Sequence, residues 1–132
     1  MEYTLKNRLL TVRVSDHGAE LQSILGADGV EYLWQGDPAY WARHATNLFP
    51  HVGRLTNGTY TWNGNTYELG PHGFARNLDY SLVEQTENTL VLELTDSDET
   101  RKGYPFAFSY RLIYRLEHDT LFVTFRVENR GG

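Results

Sequence analysis

Apolar and polar residues alternate along most of this chain with the period of two that is typical of β-strands. The clearest alternation lies in the last third, followed by a turn near His118-Asp119 and a second alternating run. Strands this long with one apolar face must cover a second layer, so the pattern predicts a β-sandwich. The positions expected to face inward are Phe106, Phe108, Tyr110, Leu112, Tyr114 and Leu116, then Leu121, Val123, Phe125 and Val127.

Earlier in the chain the strands are shorter and are bounded by turn residues. We predict strands at residues 9–14, 20–25, 31–34, 59–62, 66–69, 80–85 and 89–95. A single helical turn is expected at residues 37–41, because Asp37 can cap it and Pro38 suits its first position. The acidic run at residues 96–100 is interpreted as a solvated connection.

The central part of the chain predicts a tight hairpin. Residues 59–62 and 66–69 are separated by Asn63-Gly64, a pair that supplies the positive φ angles of a two-residue turn. Such a hairpin would bring Gly53-Arg54 close to His72-Gly73 in space. It would thereby place Arg54, His72 and Arg76 on one wall, where loops on a rigid β scaffold often carry binding groups.

Composition narrows the class of protein. The chain has 132 residues, 40% hydrophobic and 22% charged, which is typical of one globular domain. Its net charge of −5 without a basic cluster argues against a nucleic-acid partner. It has no cysteine, no apolar run of membrane-spanning length and no signal-peptide pattern, so we expect a cytoplasmic protein that does not bind a membrane. His44 and His51 lack a third ligand of convincing spacing, so no metal site is predicted.

Aromatic residues make up 14% of the chain, and two interpretations remain open. Aromatic rings stack on the apolar faces of sugars, which would suit a carbohydrate site. Aromatic residues are also favoured in strands and fill sandwich cores. Composition does not decide between these interpretations for Trp34, Trp41 or Trp62.

Separated motifs resemble one known family. The segments DHGAELQSI, EYLWQGDPAYW, FPHVGRLTNGTYTWNGNTYEL and PHGFARNLDY occur in that order. Together they resemble the aldose 1-epimerase (galactose mutarotase) family and are most similar to its LacX-like branch. The related glucose-6-phosphate 1-epimerases share the His-Gly-Phe-Ala-Arg run. The resemblance extends over about residues 5–129.

The resemblance implies an all-β, galactose-mutarotase-like β-sandwich (supersandwich) with mostly antiparallel strands. Residues 1–132 would form a single β-sandwich domain that is the N-terminal half of a larger one. The implied activity is that of an isomerase which binds a hexose and interconverts its α and β anomers. A base takes the proton of the O1 hydroxyl, an acid protonates the ring oxygen, and the ring opens and recloses. Neither a metal nor an organic cofactor is implied.

The resemblance also implies roles for individual residues. In the family, the residue at the position of His72 holds the sugar near its ring oxygen and C1. His72 is therefore the catalytic-site residue that the resemblance implies in this sequence. The position of Arg54 donates hydrogen bonds to sugar oxygens, which suits a planar fork of donors. Arg76 either binds a sugar or phosphate oxygen or braces the loop. Structural roles also remain open: an ion pair for Arg54 and a loop contact for His72. Phe74, in the same run, is expected to pack rather than to stack on a sugar.

The chain departs from the family pattern in one respect. The family's general-acid histidine lies in a Gly-His-Pro motif, and its general-base glutamate lies farther toward the C-terminus. Neither motif is found in this sequence, and Glu117, His118 and Glu128 lie at positions that do not replace them. We therefore expect no normal mutarotase turnover from this chain alone.

Two other functions remain open on the sequence. A hexose 6-phosphate substrate would require Arg43, Arg54 and Arg76 to converge on an anion. A non-catalytic carbohydrate-binding or interaction module would use a face of the sandwich. Whichever holds, an open strand edge and an uncovered apolar face predict self-association.

Overall fold

The computed structural model of the chain describes residues 1–131 and contains strands in antiparallel sheets with one short helix. The strands are β1 (Glu2–Lys6), β2 (Leu10–Ser15), β3 (Leu21–Gly26), β4 (Thr59–Trp62), β5 (Asn65–Glu68), β6 (Ser81–Gln85), β7 (Thr89–Thr95), β8 (Phe108–Glu117) and β9 (Thr120–Asn129), and the helix is α1 (Asp98–Gly103). Short 3₁₀ turns lie at Thr56–Gly58 and Ala75–Asn77.

The strands form three antiparallel sheets. The first has the order β1-β2-β3, the second is the β4–β5 hairpin, and the third has the order β6-β7-β8-β9. The sequence pattern did not indicate β1, which pairs with β2 from Glu2 opposite Ser15 to Lys6 opposite Thr11. The all-β, antiparallel class is confirmed.

The hydrophobic core lies between the first and third sheets. Buried residues of the first sheet pack with alternate residues of β7 and β8 in one cluster. Alternation decides which side chains enter, since successive strand residues point to opposite faces. The core members from these strands are Leu5, Val12, Val14, Leu90, Leu92, Leu94, Phe108, Tyr110, Leu112, Tyr114 and Leu116.

The alternation expected for β9 is present, but three of its inward-facing residues are not buried. Val123, Phe125 and Val127 lie opposite the buried Tyr114, Leu112 and Tyr110 of β8, so they share the apolar face of the sheet. They are nevertheless 38%, 56% and 58% exposed, because no element among residues 1–131 covers the sheet at this edge.

The strand expected at residues 31–34 is also not formed. Only one bridge, between Glu31 and Leu25, remains there. The Glu31 carboxylate accepts hydrogen bonds from the Ser23 hydroxyl and from the backbone N–H groups of Ile24 and Leu33, the latter two at 2.8 and 3.1 Å. The Glu31 carboxylate thus satisfies backbone N–H groups that a β-ladder would otherwise use. Residues 31–34 therefore do not continue as a strand.

The acidic run at residues 96–100 is not a solvated connection but the start of α1. Ser97 caps the helix: its hydroxyl accepts from the Thr100 N–H at 3.2 Å, and the Thr100 hydroxyl accepts from the Ser97 N–H at 2.8 Å. Thr100 is 3% exposed, so this side of the helix is buried against the protein. Asp98 and Glu99 lie in the first turn, where carboxylates interact favourably with the helix dipole.

Other local predictions are confirmed. Trp41 N–H donates to the Asp37 carbonyl at 2.9 Å and the Asp37 carboxylate accepts from Ala39 N–H, which makes the single capped helical turn. In the β4–β5 hairpin, Asn63 and Gly64 have φ angles of 50° and 80°. Within residues 1–131 no helix has the length and apolar character needed to cross a membrane.

Candidate functional site

The base of the β4–β5 hairpin is closed by reciprocal hydrogen bonds between Gly53 and His72. The His72 N–H donates to the Gly53 carbonyl at 2.8 Å, and the Gly53 N–H donates to Nδ1 of the His72 ring at 2.8 Å. The expectation that the hairpin brings these segments together is confirmed. Arg54 follows directly on Gly53, so its backbone is held beside the imidazole.

The bond from Gly53 assigns the tautomer of His72. Nδ1 accepts a hydrogen, so in the neutral ring the proton resides on Nε2. His72 therefore presents an N–H donor on the side of the ring away from Gly53. Its backbone has a φ angle of 62°, a conformation that L residues other than glycine adopt rarely and that clusters at functional sites.

The segment after His72 is packed against Phe49. The Phe49 carbonyl accepts from the N–H groups of Phe74 and Ala75 at 3.0 and 3.2 Å. A Cβ on Gly73 would lie 2.2 Å from that same carbonyl oxygen, so only glycine permits the approach. The Phe74 ring packs on Phe49 and Phe108, with centroids 6.1 and 5.9 Å away, so it is partly buried against the core.

Arg54 lines a concavity beside the hairpin. This cavity of about 420 Å³ is bordered by Arg54, Leu55, Asn57, Gly58, Leu69, Gly70 and Pro71. The Arg54 side chain is exposed and forms no salt bridge with any residue between 1 and 131, so an ion pair does not account for it. Pro71 connects the wall of this cavity directly to His72.

Arg43 contacts the 3₁₀ turn after His72, which also contains Arg76. Arg43 Nη2 donates to Asn77 Oδ1 at 3.2 Å, beside Arg76 in the sequence. The Nε of Arg76 is buried without a hydrogen-bond partner among the described residues. Neither Arg43 nor Arg76 lines the cavity at Arg54, so Arg54 lies at a separate feature.

A buried polar network that the sequence reasoning missed holds the Arg54 loop against the core. Asn47, 7% exposed, donates from Nδ2 to the carbonyls of Gly18 and Ala19 at 3.0 and 2.9 Å. The Tyr114 hydroxyl of β8 donates to the Ala19 carbonyl at 2.6 Å and lies 3.5 Å from Asn47 Nδ2. A single asparagine in a sequence does not indicate that it is buried, so this network is recognised only in the folded structure.

The turn at residues 16–19 braces the chain that leaves the site. The Gly18 N–H donates to the Leu78 carbonyl at 2.7 Å, and the Tyr80 N–H donates to the Asp16 carbonyl at 2.8 Å. A Cβ on Gly18 would lie 2.7 Å from the Arg76 carbonyl oxygen, which explains glycine there. The DHGAE, FPHVGR and HGFAR motifs, separate in the sequence, are thus joined in the fold.

The tryptophans are edge residues. Trp34, Trp41 and Trp62 are 44%, 48% and 47% exposed. Trp34 donates from Nε1 to the Trp41 carbonyl at 2.8 Å, and Trp62 packs edge-on against Phe106 with centroids 4.7 Å apart. These contacts give Trp34 and Trp62 packing or bonding partners within the chain.

A larger cavity lies elsewhere and has no arginine, lysine or histidine among the described residues that line it. It has a volume of about 550 Å³ and is lined by Leu9, Leu10, Ile24, Gly26, Ala27, Asp28, Tyr32, Asp119 and Leu121. Asp28 already accepts from Val30 N–H at 3.0 Å and from the Tyr32 hydroxyl at 3.4 Å. We therefore locate the candidate site by its donors, at His72 and Arg54, rather than by cavity size.

Comparison with known proteins agrees with this arrangement of motifs. The family model for aldose 1-epimerase matches residues 1–131. The chain belongs to the aldose 1-epimerase family. Among its relatives, the plasmid-encoded protein LacX of Lactococcus lactis subsp. lactis is 35% identical over 134 residues, with 98% of this chain and 45% of LacX aligned.

Solved structures of aldose 1-epimerase-like proteins share the fold. A galactose mutarotase related enzyme from Lactobacillus acidophilus has a TM-score of 0.97 and 47% identity, covering 99% of this chain and 44% of its own. A galactose mutarotase-like protein from Lactobacillus casei has a TM-score of 0.96 and 32% identity, covering 99% and 45%. The chain thus spans less than half the length of these relatives.

Proposed function

We propose that this chain carries the sugar-binding wall of an aldose 1-epimerase. In the proposal, His72 and Arg54 donate hydrogen bonds to a hexose, and the complete enzyme interconverts the α and β anomers by acid–base ring opening. Family membership and the position of both residues at the closed base of the hairpin support it. Arg76 contributes from the adjacent turn.

The observation that carries the proposal is the Gly53 N–H to His72 Nδ1 hydrogen bond of 2.8 Å. It orients the imidazole and leaves the Nε2–H as a fixed donor on the side of the ring away from Gly53. A pyranose presents lone pairs on O5 and O1, and fixed N–H donors match them. Pre-organised donors of this kind lower the entropic cost of binding a small ligand.

The same tautomer limits the role of His72. A ring whose Nε2 carries the proton cannot take a proton at that atom, so it positions the sugar and does not remove the O1 proton. The base and the acid are proposed to lie in polypeptide beyond this sequence. We accordingly expect binding of the sugar by this chain without normal turnover.

Calorimetric titration of galactose and glucose into the purified chain tests the proposal. We expect saturable binding, and Arg54→Ala should weaken it about tenfold or more, because a charge-assisted hydrogen bond contributes about 1.5–3 kcal/mol. Arg8→Ala, which removes an exposed arginine from the β1–β2 turn, is the matched control and should change nothing. No binding, or equal losses in the two variants, would contradict the sugar site. Polarimetry at the same concentrations should show only the uncatalysed rate.

A hexose 6-phosphate is the second candidate substrate. It is favoured by the hydrogen bond from Arg43 to Asn77, the neighbour of Arg76 in the chain, and by the buried Nε of Arg76, which has no partner among the described residues. Neither guanidinium forms a salt bridge within the described part of the chain, so both remain available to an anion. Arg54 would then bind the sugar and not the phosphate.

The two substrates are separated by titrating glucose 6-phosphate beside glucose, with inorganic phosphate as competitor. A phosphate site predicts tighter binding of the phosphorylated sugar, competition by phosphate, and loss of that preference in Arg43→Ala. Equal affinity for both sugars with no competition leaves the free hexose as the substrate.

A further inference from the structure

Asn47 is buried, and its amide nitrogen bonds a distant turn of the chain. The residue is 7% exposed, and its Nδ2 donates to the carbonyls of Gly18 and Ala19 at 3.0 and 2.9 Å. A carboxamide has two N–H donors, so each carbonyl receives one. The Ala19 carbonyl also accepts from the Tyr114 hydroxyl at 2.6 Å. Asn47 is therefore fixed to the turn at residues 16–19 by two buried hydrogen bonds.

The turn that receives these bonds has an unusual backbone conformation. Ala19 is fully buried with a φ angle of 49°, and Gly18 has a φ angle of 72°. A residue with a side chain keeps a positive φ angle only where its surroundings hold it there. The same turn also bonds the chain beyond His72, because the Gly18 N–H donates to the Leu78 carbonyl at 2.7 Å. Asn47 is thus connected through this turn to the chain that follows His72.

Phe49, two residues after Asn47, contacts the chain just after His72 directly. Its carbonyl accepts from the N–H groups of Phe74 and Ala75 at 3.0 and 3.2 Å. The side chain of Asn47 and the carbonyl of Phe49 therefore hold one short segment at two points. Both points lead to the chain that follows His72, one directly and one through the turn that Asn47 bonds.

The His72 imidazole takes its orientation from the far end of the same segment. Four residues after Phe49, the Gly53 N–H donates to Nδ1 of the ring at 2.8 Å, and the Gly53 carbonyl accepts from the His72 N–H at 2.8 Å. A hydrogen bond weakens steeply when its donor is misaligned with its acceptor. The bond that fixes the ring therefore depends on where residues 49–53 begin, and Asn47 anchors that point.

We propose that Asn47 is a positioning residue of the candidate site, which acts on the His72 imidazole through Phe49 and Gly53. Its carboxamide fixes the place from which residues 49–53 begin, and this keeps the Gly53 N–H directed at Nδ1. The consequence for sugar binding rests on the proposed function. The effect on the bond between Gly53 and His72 stands without it.

Hydrogen exchange at the Gly53 amide, measured by NMR on the 132-residue chain, tests the positioning step. Asn47→Ala removes both donors but leaves the Ala19 carbonyl bonded to Tyr114, so the fold should persist. We expect the amides of Gly53 and Phe74 to exchange about tenfold faster in this variant, because their segment loses an anchor comparable to one buried hydrogen bond. Asn47→Asp, which has the same size and presents oxygens to both carbonyls, should accelerate this exchange further.

Ser109→Ala is the control for loss of stability alone. Ser109 is 1% exposed and donates to Glu93 at 2.6 Å on the outer face of the third sheet, so this variant also loses a buried hydrogen bond. Urea unfolding should show a loss of stability in both Ser109→Ala and Asn47→Ala. In Ser109→Ala the Gly53 amide should nevertheless exchange within about twofold of its original rate, because local opening at Gly53 does not involve the third sheet.

Calorimetric titration of galactose extends the test to the site. We expect the dissociation constant to rise about tenfold in Asn47→Ala and to stay within about twofold of the original value in Ser109→Ala. Circular dichroism establishes that each variant is folded. Asn47→Ser, which keeps one donor, is read in the same way if Asn47→Ala does not fold.

Unchanged exchange at Gly53 in a folded Asn47 variant overturns the proposal, and so does equal acceleration in Ser109→Ala. Faster exchange with unchanged galactose affinity also overturns it, since the imidazole would then not depend on this anchor for binding. If the unmodified chain binds no galactose, the proposed function fails. The exchange rate of the Gly53 amide then decides by itself whether Asn47 positions His72.

Discussion

Two buried tyrosine hydroxyls in this fold differ in whether they form a hydrogen bond. The Tyr114 hydroxyl donates to the Ala19 carbonyl at 2.6 Å, whereas the Tyr80 hydroxyl is buried without a hydrogen-bond partner among residues 1–131. Burial raises the pKa of both phenols far above the usual range, so both stay neutral. The two side chains therefore differ in hydrogen bonding and not in charge.

This difference predicts opposite outcomes for the same substitution. Tyr114→Phe should lower the free energy of unfolding by about 1 kcal/mol, because it deletes a made hydrogen bond. Tyr80→Phe should leave that free energy unchanged or raise it, because it removes a hydroxyl that is buried and unpaired. Urea unfolding at neutral pH measures both, and an equal loss in the two variants would contradict the assignment.

At the scale of single residues, the sequence predicted the candidate site residues better than the buried residues that hold them in place. Arg54, His72 and Arg76 could be named from motifs, and the hairpin between them from Asn63-Gly64. Asn47 could not, because its role depends on the carbonyls of residues 18 and 19, which the fold brings from a distant turn. The roles of the site residues themselves stay predictions.

Helix α1 shows how a short element supports the site from a distance. The Tyr60 hydroxyl of β4 donates to the Gly103 carbonyl at 2.6 Å, at the end of the helix. A Cβ on Gly103 would lie 2.5 Å from the Glu68 carbonyl oxygen of β5. The helix thus contacts both strands of the hairpin that separates Arg54 from His72.

Removing the cap of α1 should loosen that hairpin. Ser97→Ala should lower the free energy of unfolding by about 1 kcal/mol, because the Thr100 N–H loses its acceptor. Hydrogen exchange at β4 and β5 should accelerate in the same variant. Ser97→Asn, which keeps a side-chain acceptor at the cap, is the matched control; if it exchanges as fast as Ser97→Ala, the cap is not responsible.

Each element that the sequence mispredicted has its own physical reason. The run at residues 96–100 is too short and too polar to show helical periodicity, and its capping pair is Ser97 with Thr100 instead of the usual glutamate or glutamine. At residues 31–34 strand propensity was outweighed by one carboxylate that binds backbone donors. In β9 the alternation was read correctly, but alternation cannot tell whether a face is covered.

At the scale of the whole molecule, one carboxylate on the outer face of the third sheet links β7 to β8 and to Arg130. Glu93 of β7 accepts from the Ser109 hydroxyl at 2.6 Å and from Arg111 Nε at 2.9 Å, and Arg130 Nη2 lies 3.8 Å away. The hydrogen bond from Ser109, followed by that from Arg111, lowers the pKa of Glu93 below its usual value. The ionised form is therefore favoured in the folded state.

This lowered pKa gives the fold an acid-sensitive component. Ionised Glu93 stabilises the folded chain fully above the unfolded-state pKa, and that stabilisation disappears as the pH falls through the lower folded-state value. The unfolding free energy of the unmodified chain should therefore exceed that of Glu93→Gln at pH 7, with the gap closing toward pH 3. Exposed Glu87→Gln is the control. A gap that stays constant with pH would contradict the ionic origin.

The closed base of the β4–β5 hairpin has a practical consequence for engineering. Because Gly53 and His72 are bonded to each other in both directions, the intervening strands form a stem whose length does not set the position of the imidazole. The exposed tip at Asn63-Gly64 is thus a suitable point for inserting a reporter domain or opening a permuted chain. Such a graft would sit at the far end of the stem and leave the bonded pair at its base in place.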